Sequence, residues 1–169
     1  LGFQTTDAAE PAPDGTPSGP GATPGFRNEP DTDPAIAANR EWGRRILARV
    51  PESRLGLDTI AASRIDDAAT LETVIQTVAA NGRAWGELPG ADRAALLHRA
   101  GIALAANRDR LIEVMAAETG KTIAEADPEI SEAIDFAHYY AERARELDHV
   151  QGAVFVPPKL TVITPPWNF

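Results

Sequence analysis

The sequence predicts a mostly α-helical chain of four helices that ends in short β-strands. Three observations predict it. Apolar side chains recur at three- and four-residue spacing from Ile36 to Ala141. Asp-Pro pairs, a Pro-Gly pair and single glycines punctuate those stretches where helices start and stop. Beyond Gly152 the helical period gives way to two β-type runs split by Pro157-Pro158.

Asp33-Pro34 opens the first helix, with Asp as N-cap and Pro at the first helical position. Ile36, Trp42, Ile46 and Leu47 follow at near-helical spacing, and Pro51 closes it. Thr70 caps the second helix, whose stripe is Leu71, Val74, Ile75 and Val78 with Trp85 beyond. Gly82 weakens the end of that helix by about 1 kcal/mol relative to Ala. Pro89-Gly90 turns the chain into a third helix from about Asp92, with Leu96, Leu97, Ala100 and Leu104 facing inward. Asn107 is a break or bend, and Leu111, Ile112 and Met115 carry the stripe to Glu118. Gly120 is placed for the left-handed conformation just past a helix end.

Asp127-Pro128 repeats the cap-plus-proline start for the fourth helix, with a stripe of Ile130, Ala133, Ile134, Ala137 and Ala141. Glu129 and Glu132 in its first turns, and Arg143 and Arg145 near its end, suit the helix dipole. Ala153–Val156 and Leu160–Ile163 are the β-strands. The second is apolar enough to be a buried strand of a parallel sheet, whose partner strands are expected further along a longer chain.

Composition narrows what this chain can do. Residues 11 to 25 hold nine Gly or Pro in fifteen, too little apolar surface to offset the entropy of ordering. Residues 1–30 therefore read as a flexible interdomain linker, and the chain is expected to be cut at both ends from something larger. The net charge is −9; one Arg against six acids in residues 1 to 39 supplies −5 of it, leaving −4 for the rest. No basic patch stands out, which argues against nucleic acid as a partner. No apolar run reaches the length needed to span a bilayer. Cysteine is absent, so the chain carries neither disulfides nor a thiol nucleophile of its own.

Few motifs carry chemistry. Thr119-Gly120-Lys121-Thr122 lacks the earlier glycine and the preceding strand of a phosphate loop, so it reads as a helix stop. His98, His138 and His149 share no helical spacing and read as solvated or partly packed. Glu118, Glu125, Asp127, Glu129 and Glu132 form an acidic cluster that reads as a solvated face, and no metal site is expected. Trp42, Trp85, Tyr139 and Tyr140 read as core. "TPPWNF", residues 164–169, differs. Two prolines after an apolar strand force the backbone out of a sheet, and ligands gather just past such strand ends. An Asn amide held there can donate to an oxygen that becomes negative during a reaction, a donor worth roughly 3–4 kcal/mol of barrier. On the residues alone, Asn168 could equally cap a following helix.

Trp85, the stretch from Arg93 to Ala141 and "LTVITPPWNF" together resemble the N-terminal part of the aldehyde dehydrogenase superfamily. The matching features are Leu96-Leu97, Arg108, Leu111, Glu118-Thr119-Gly120-Lys121, Glu125-Ala126, Glu129 and Pro166-Trp167-Asn168-Phe169, in the family's order over residues 66 to 169. "GFRNEPDTDPAIAANREWGRRIL" and the doubled proline resemble the branch of bifunctional proline-catabolic enzymes, in which a proline dehydrogenase domain precedes a glutamate-semialdehyde dehydrogenase domain. The family often continues a helix through the position of Pro128.

The resemblance implies an α/β parent with a Rossmann-type NAD-binding domain, of which residues 31–169 are the N-terminal part, ending before the catalytic cysteine. It implies thiolate attack on an aldehyde, hydride transfer to NAD and hydrolysis to the acid. Asn168 would be the catalytic oxyanion donor, Thr164, Pro165, Pro166 and Trp167 would line the nicotinamide end of NAD, and Phe169 would wall the aldehyde pocket. The implied parent oxidises L-glutamate γ-semialdehyde to L-glutamate, carries FAD in its upstream domain, and is a cytoplasmic homo-oligomer. This part by itself would be inactive, its partner being the remainder of its own dehydrogenase domain. The alternatives are another aldehyde substrate, or a non-catalytic helical interaction module.

Overall fold

The computed structural model describes residues 26–165; most of the expected linker, and Pro166, Trp167, Asn168 and Phe169, lie outside the described residues. Within them are six α-helices: α1 (Ala37–Arg49), α2 (Leu57–Ser63), α3 (Ala68–Gly86), α4 (Gly90–Ala106), α5 (Arg108–Thr119) and α6 (Ile123–Leu147). A 3-10 turn, Val50–Glu52, follows α1. The most extensive helix pairing is α4 on α6, while α5 packs on both α6 and α1. The core lies between α1, α5 and α6: Trp42, Ile46, Ile112, Ala126, Ile130 and Ile134 are buried, with Leu104, Leu111, Met115 and Ile123 against them.

The count of four helices is corrected to six. Asn107 does break the third stretch, its Nδ2 donating to the Ala103 carbonyl at 2.8 Å, so α4 and α5 are separate helices. The seven residues of α2 are too few for a periodic stripe to declare itself. The two β-strands are corrected as well. Ala153–Val156 and Leu160–Ile163 form no strand among the described residues, because no neighbouring segment there supplies the ladder bonds that define one.

Three helix starts also move, because the side chains expected to cap them, Asp33, Thr70 and Asp127, make other hydrogen bonds. Asp33 accepts the Ala35 N–H at 2.7 Å in a turn ahead of α1, whose N-cap is Ile36. Asp67 caps α3, accepting both the backbone N–H (2.8 Å) and the hydroxyl (2.7 Å) of Thr70. The fourth expected helix starts not at Asp127 but at Ile123, where the Thr122 N–H (2.8 Å) and hydroxyl (2.9 Å) both donate to Glu125. Glu129 and Glu132 therefore lie beyond the first turn, and Pro128 sits inside α6. Gly120 has φ +71°, the left-handed cap expected of it, and its N–H donates to the Ala116 carbonyl at 3.1 Å.

Two aromatic expectations are corrected. Trp42 is core, but Trp85 and Tyr140 are half exposed. Trp85 belongs to α3, whose stripe of Leu71, Val74, Ile75 and Val78 is also exposed, because no other described helix packs extensively against it.

Candidate functional site

The segment leading to Thr164 is placed by a close approach to α3. A side chain at Gly82 would put its Cβ 2.6 Å from the carbonyl oxygen of Lys159, and one at Gly86 would meet the Pro157 ring at 2.5 Å. These two glycines lie four residues apart, on one face of the helix. The bare face therefore seats residues 157–159, and Gly82 marks a contact rather than a weakened helix end. Past this seat the chain is exposed from Thr161 to Pro165. Thr164 and Pro165, two of the residues expected to line a cofactor, are thus open at the end of the described chain. Pro166, Trp167, Asn168 and Phe169 lie outside it.

The acidic cluster does not act as one solvated face. Asp127 is 4% exposed and accepts from Arg108 Nη1 at 2.9 Å, from the Thr32 N–H at 2.6 Å and from the Thr32 hydroxyl at 2.8 Å. Arg108, 1% exposed, also donates to Ser131 Oγ (3.0 Å) and through Nη2 to Glu29 (3.1 Å). One helical turn pair further along α6, Asp135 accepts from Asn28 Nδ2 and the Glu29 N–H, both at 2.6 Å. Residues 28–32 are in this way strapped along α6 by two of its aspartates and by the arginine that opens α5. The Asp127-Pro128 pair carried the signal for a special position, but a buried ion pair between distant residues leaves no local pattern to read.

Lys121 of the Thr119–Thr122 stretch donates to Glu129 Oε2 at 2.6 Å, so its charge is engaged by a carboxylate of α6. Glu113 of α5 accepts from Arg49 Nε at 2.5 Å and from Ser53 Oγ at 2.7 Å, tying α5 to α1 and the turn after it. Burial pushes the Glu113 carboxyl up. The Ser53 and Arg49 hydrogen bonds and the charges of Arg49 and Arg110 outweigh burial and hold it below the ordinary glutamate value. The Glu125 carboxyl is likewise lowered, first by the Thr122 N–H and then by its hydroxyl. The half-buried histidines of α4 and α6 meet across the helix pair, His98 Nδ1 lying 2.8 Å from His138 Nδ1, a juxtaposition that separation along the chain concealed. Among the described residues, no group of three or more His, Cys, Asp or Glu is arranged to hold a metal ion. None of the described helices is long and apolar enough to cross a membrane.

Comparison with known proteins gives these features a context. Residues 53–168 match the model of the aldehyde dehydrogenase family. The bifunctional protein PutA of Escherichia coli K12 is 36% identical over 99 residues, which is 59% of this chain and 7% of that protein. The 1-pyrroline-5-carboxylate dehydrogenase 2 of Bacillus subtilis 168 is 34% identical over 108 residues, 58% of this chain and 21% of that protein. Among solved structures, proline utilization A (PutA) from Bdellovibrio bacteriovorus, inactivated by N-propargylglycine, superimposes with a TM-score of 0.61 at 30% identity. That match covers 72% of this chain and 15% of the other. The chain thus corresponds to a small part of each relative. A family match that takes in α2 to α6 and the segment seated on α3 leaves one assignment: this chain belongs to the aldehyde dehydrogenase family.

Proposed function

We propose that the whole protein is an NAD-dependent L-glutamate γ-semialdehyde dehydrogenase of proline degradation, and that residues 31–169 are the N-terminal part of its dehydrogenase domain. A proline dehydrogenase domain with FAD precedes it in the same cytoplasmic chain, joined by residues 1–30, and the whole assembles as a homo-oligomer. The observation that supports this most directly is the agreement of sequence and structure on one relative. The chain matches PutA both by sequence, in Escherichia coli, and by superposition, in Bdellovibrio bacteriovorus.

In this reading Asn168 donates its side-chain amide to the aldehyde oxygen as that oxygen gains negative charge. Phe169 bounds the aldehyde pocket. Thr164, Pro165, Pro166 and Trp167 border the nicotinamide. The exposed Thr164 and Pro165 suit an edge against a cofactor. Among the described residues no glycine-rich turn leads from a strand into a helix, so the cofactor phosphates are held by another part of the domain. NAD, when bound, accepts the hydride. The nucleophilic thiol also comes from elsewhere in the protein, because these 169 residues contain no cysteine. The exposed apolar stripe of α3, from Leu71 to Trp85, is where the remainder of the domain packs.

The test is NADH formation by the full-length protein offered glutamate semialdehyde and, separately, aliphatic aldehydes of similar length without the carboxylate. Preference for the semialdehyde by at least tenfold in kcat/KM is expected. Equal or better turnover of the plain aldehydes would move the assignment to another aldehyde.

A further inference from the structure

His98 and His138 do more than pack. Their rings lie 5.0 Å apart with a tilt of 32°, and their Nδ1 atoms are within hydrogen-bond distance at 2.8 Å. The other nitrogen of His98, Nε2, is 3.1 Å from Glu142 Oε1. A glycine on α4 makes this possible: a Cβ at Gly101 would sit 2.6 Å from His138 Nε2 and 2.8 Å from its Cε1. The His98 and Glu142 side chains are 29% and 16% exposed, so the cluster is partly shielded yet reachable by protons.

Proton counting constrains this arrangement. Facing a carboxylate, His98 Nε2 carries a hydrogen. Between the two Nδ1 atoms there is room for one hydrogen, since a hydrogen bond needs one donor and one lone pair. The pair can therefore be neutral. It can also take one extra proton, whose charge Glu142 compensates, without losing the Nδ1–Nδ1 bond. A second extra proton would place two N–H groups head to head at hydrogen-bond distance and add a second positive charge. That state requires the rings to separate.

We propose that His98, His138 and Glu142 form a proton-operated latch between α4 and α6, closed while the imidazoles share one hydrogen and opened by the second added proton. The other charged groups near this helix pair do not replace it. Arg145 approaches Glu142 at 3.8 Å and competes for it; Arg143 pairs with Glu146; Arg93 and Asp148 face each other at 3.8 Å; Asp135 is occupied by residues 28 and 29. No other carboxylate contact of the histidines is present among the described residues to absorb the second charge.

The sign follows. Separated rings have room for one more hydrogen than rings that share one between their Nδ1 atoms, so the open pair can bind one proton more than the closed pair. Opening is therefore favoured as pH falls, by about tenfold per pH unit at most for a difference of one proton. Histidines without such a shared hydrogen would show no such change.

The experiment is hydrogen exchange by mass spectrometry on the full-length protein at pH 7.5 and pH 5.5, expressed as protection factors so that the chemistry of exchange itself cancels. Peptides covering α4 and the facing half of α6 should lose about tenfold protection together at the lower pH. His138→Gln should remove that pH dependence, and His149→Gln, which alters the third histidine outside the pair, should leave it intact. Equal wild-type protection at both pH values would overturn the latch, whatever the variants do. So would an unchanged pH response in folded His138→Gln.

Discussion

Arg108 is a residue on which contacts from separate segments converge. It reaches Asp127 and Ser131 on α6 and Glu29 on the incoming chain, while 1% exposed. A buried charge pair adds little net stability by itself, but removing one partner strands the other without water. Arg108→Met should therefore cost on the order of 3–5 kcal/mol in denaturant unfolding of the dehydrogenase domain. Adding Asp127→Asn to that variant should restore part of the loss, because the stranded charge is gone. Arg108→Lys should not rescue it, since a single ammonium cannot reach three acceptors with the geometry of a guanidinium fork. Glu113 gives a pH-dependent counterpart. Its carboxyl is held below the ordinary value of 4.5, so its contribution is fully present above that pH and is lost as pH falls through the lower folded value. Glu113→Gln should cost roughly 1.5–3 kcal/mol at neutral pH and flatten the fall in melting temperature below pH 4.5. An unchanged acid limb would show that another carboxylate governs it.

At the scale of elements, α3 offers the clearest reversal of a general rule. Alanine in place of a glycine inside a helix, as at Gly82, ordinarily stabilises the helix by roughly 0.5–1 kcal/mol, and less at its last residue, Gly86. At Gly86 the added methyl would collide with Pro157, and at Gly82 with the Lys159 carbonyl. Gly86→Ala should instead unseat the segment from 157 to 165, seen as faster amide exchange there with α3 itself unchanged or firmer. Slower exchange throughout would mean that the glycines serve the helix alone. The same helix shows what was legible in the sequence. Its stripe was plain from Leu71 to Val78, yet the stripe gives only the apolar face, not whether anything covers it. Local signals read well: Gly120 takes the left-handed conformation, Asn107 separates two helices, and Ile130 and Ile134 are core. Signals that depend on distant partners read poorly. Asp127 looked like a cap because Pro128 follows it, whereas its carboxylate serves Arg108 and Thr32. The two β-type runs have strand composition without a neighbouring strand among the described residues.

At the scale of the molecule, the chain corresponds to 7% of one relative and 15% of another, so most of each relative lies outside the matched part. The seat on α3 and the strap on α6 depend on approaches between distant segments, which no stretch of sequence displays. The motif at 164–169 was legible because two prolines, an indole and an amide rarely sit together, but the role proposed for it depends on a thiol that these 169 residues lack. That makes Asn168 the decisive position. If its amide receives the developing oxyanion, Asn168→Ala in the full-length protein should lower kcat on the order of 10²- to 10³-fold. Affinity for NAD should change little, because the amide serves the reacting carbonyl and not the cofactor. A capping role predicts the opposite pattern, with about 1 kcal/mol of stability lost and turnover at saturating aldehyde nearly intact. Measuring kcat, NAD affinity and melting temperature on the same preparation separates the two. A normal kcat with a lowered melting temperature would reassign Asn168 from the reaction to the helix that follows it.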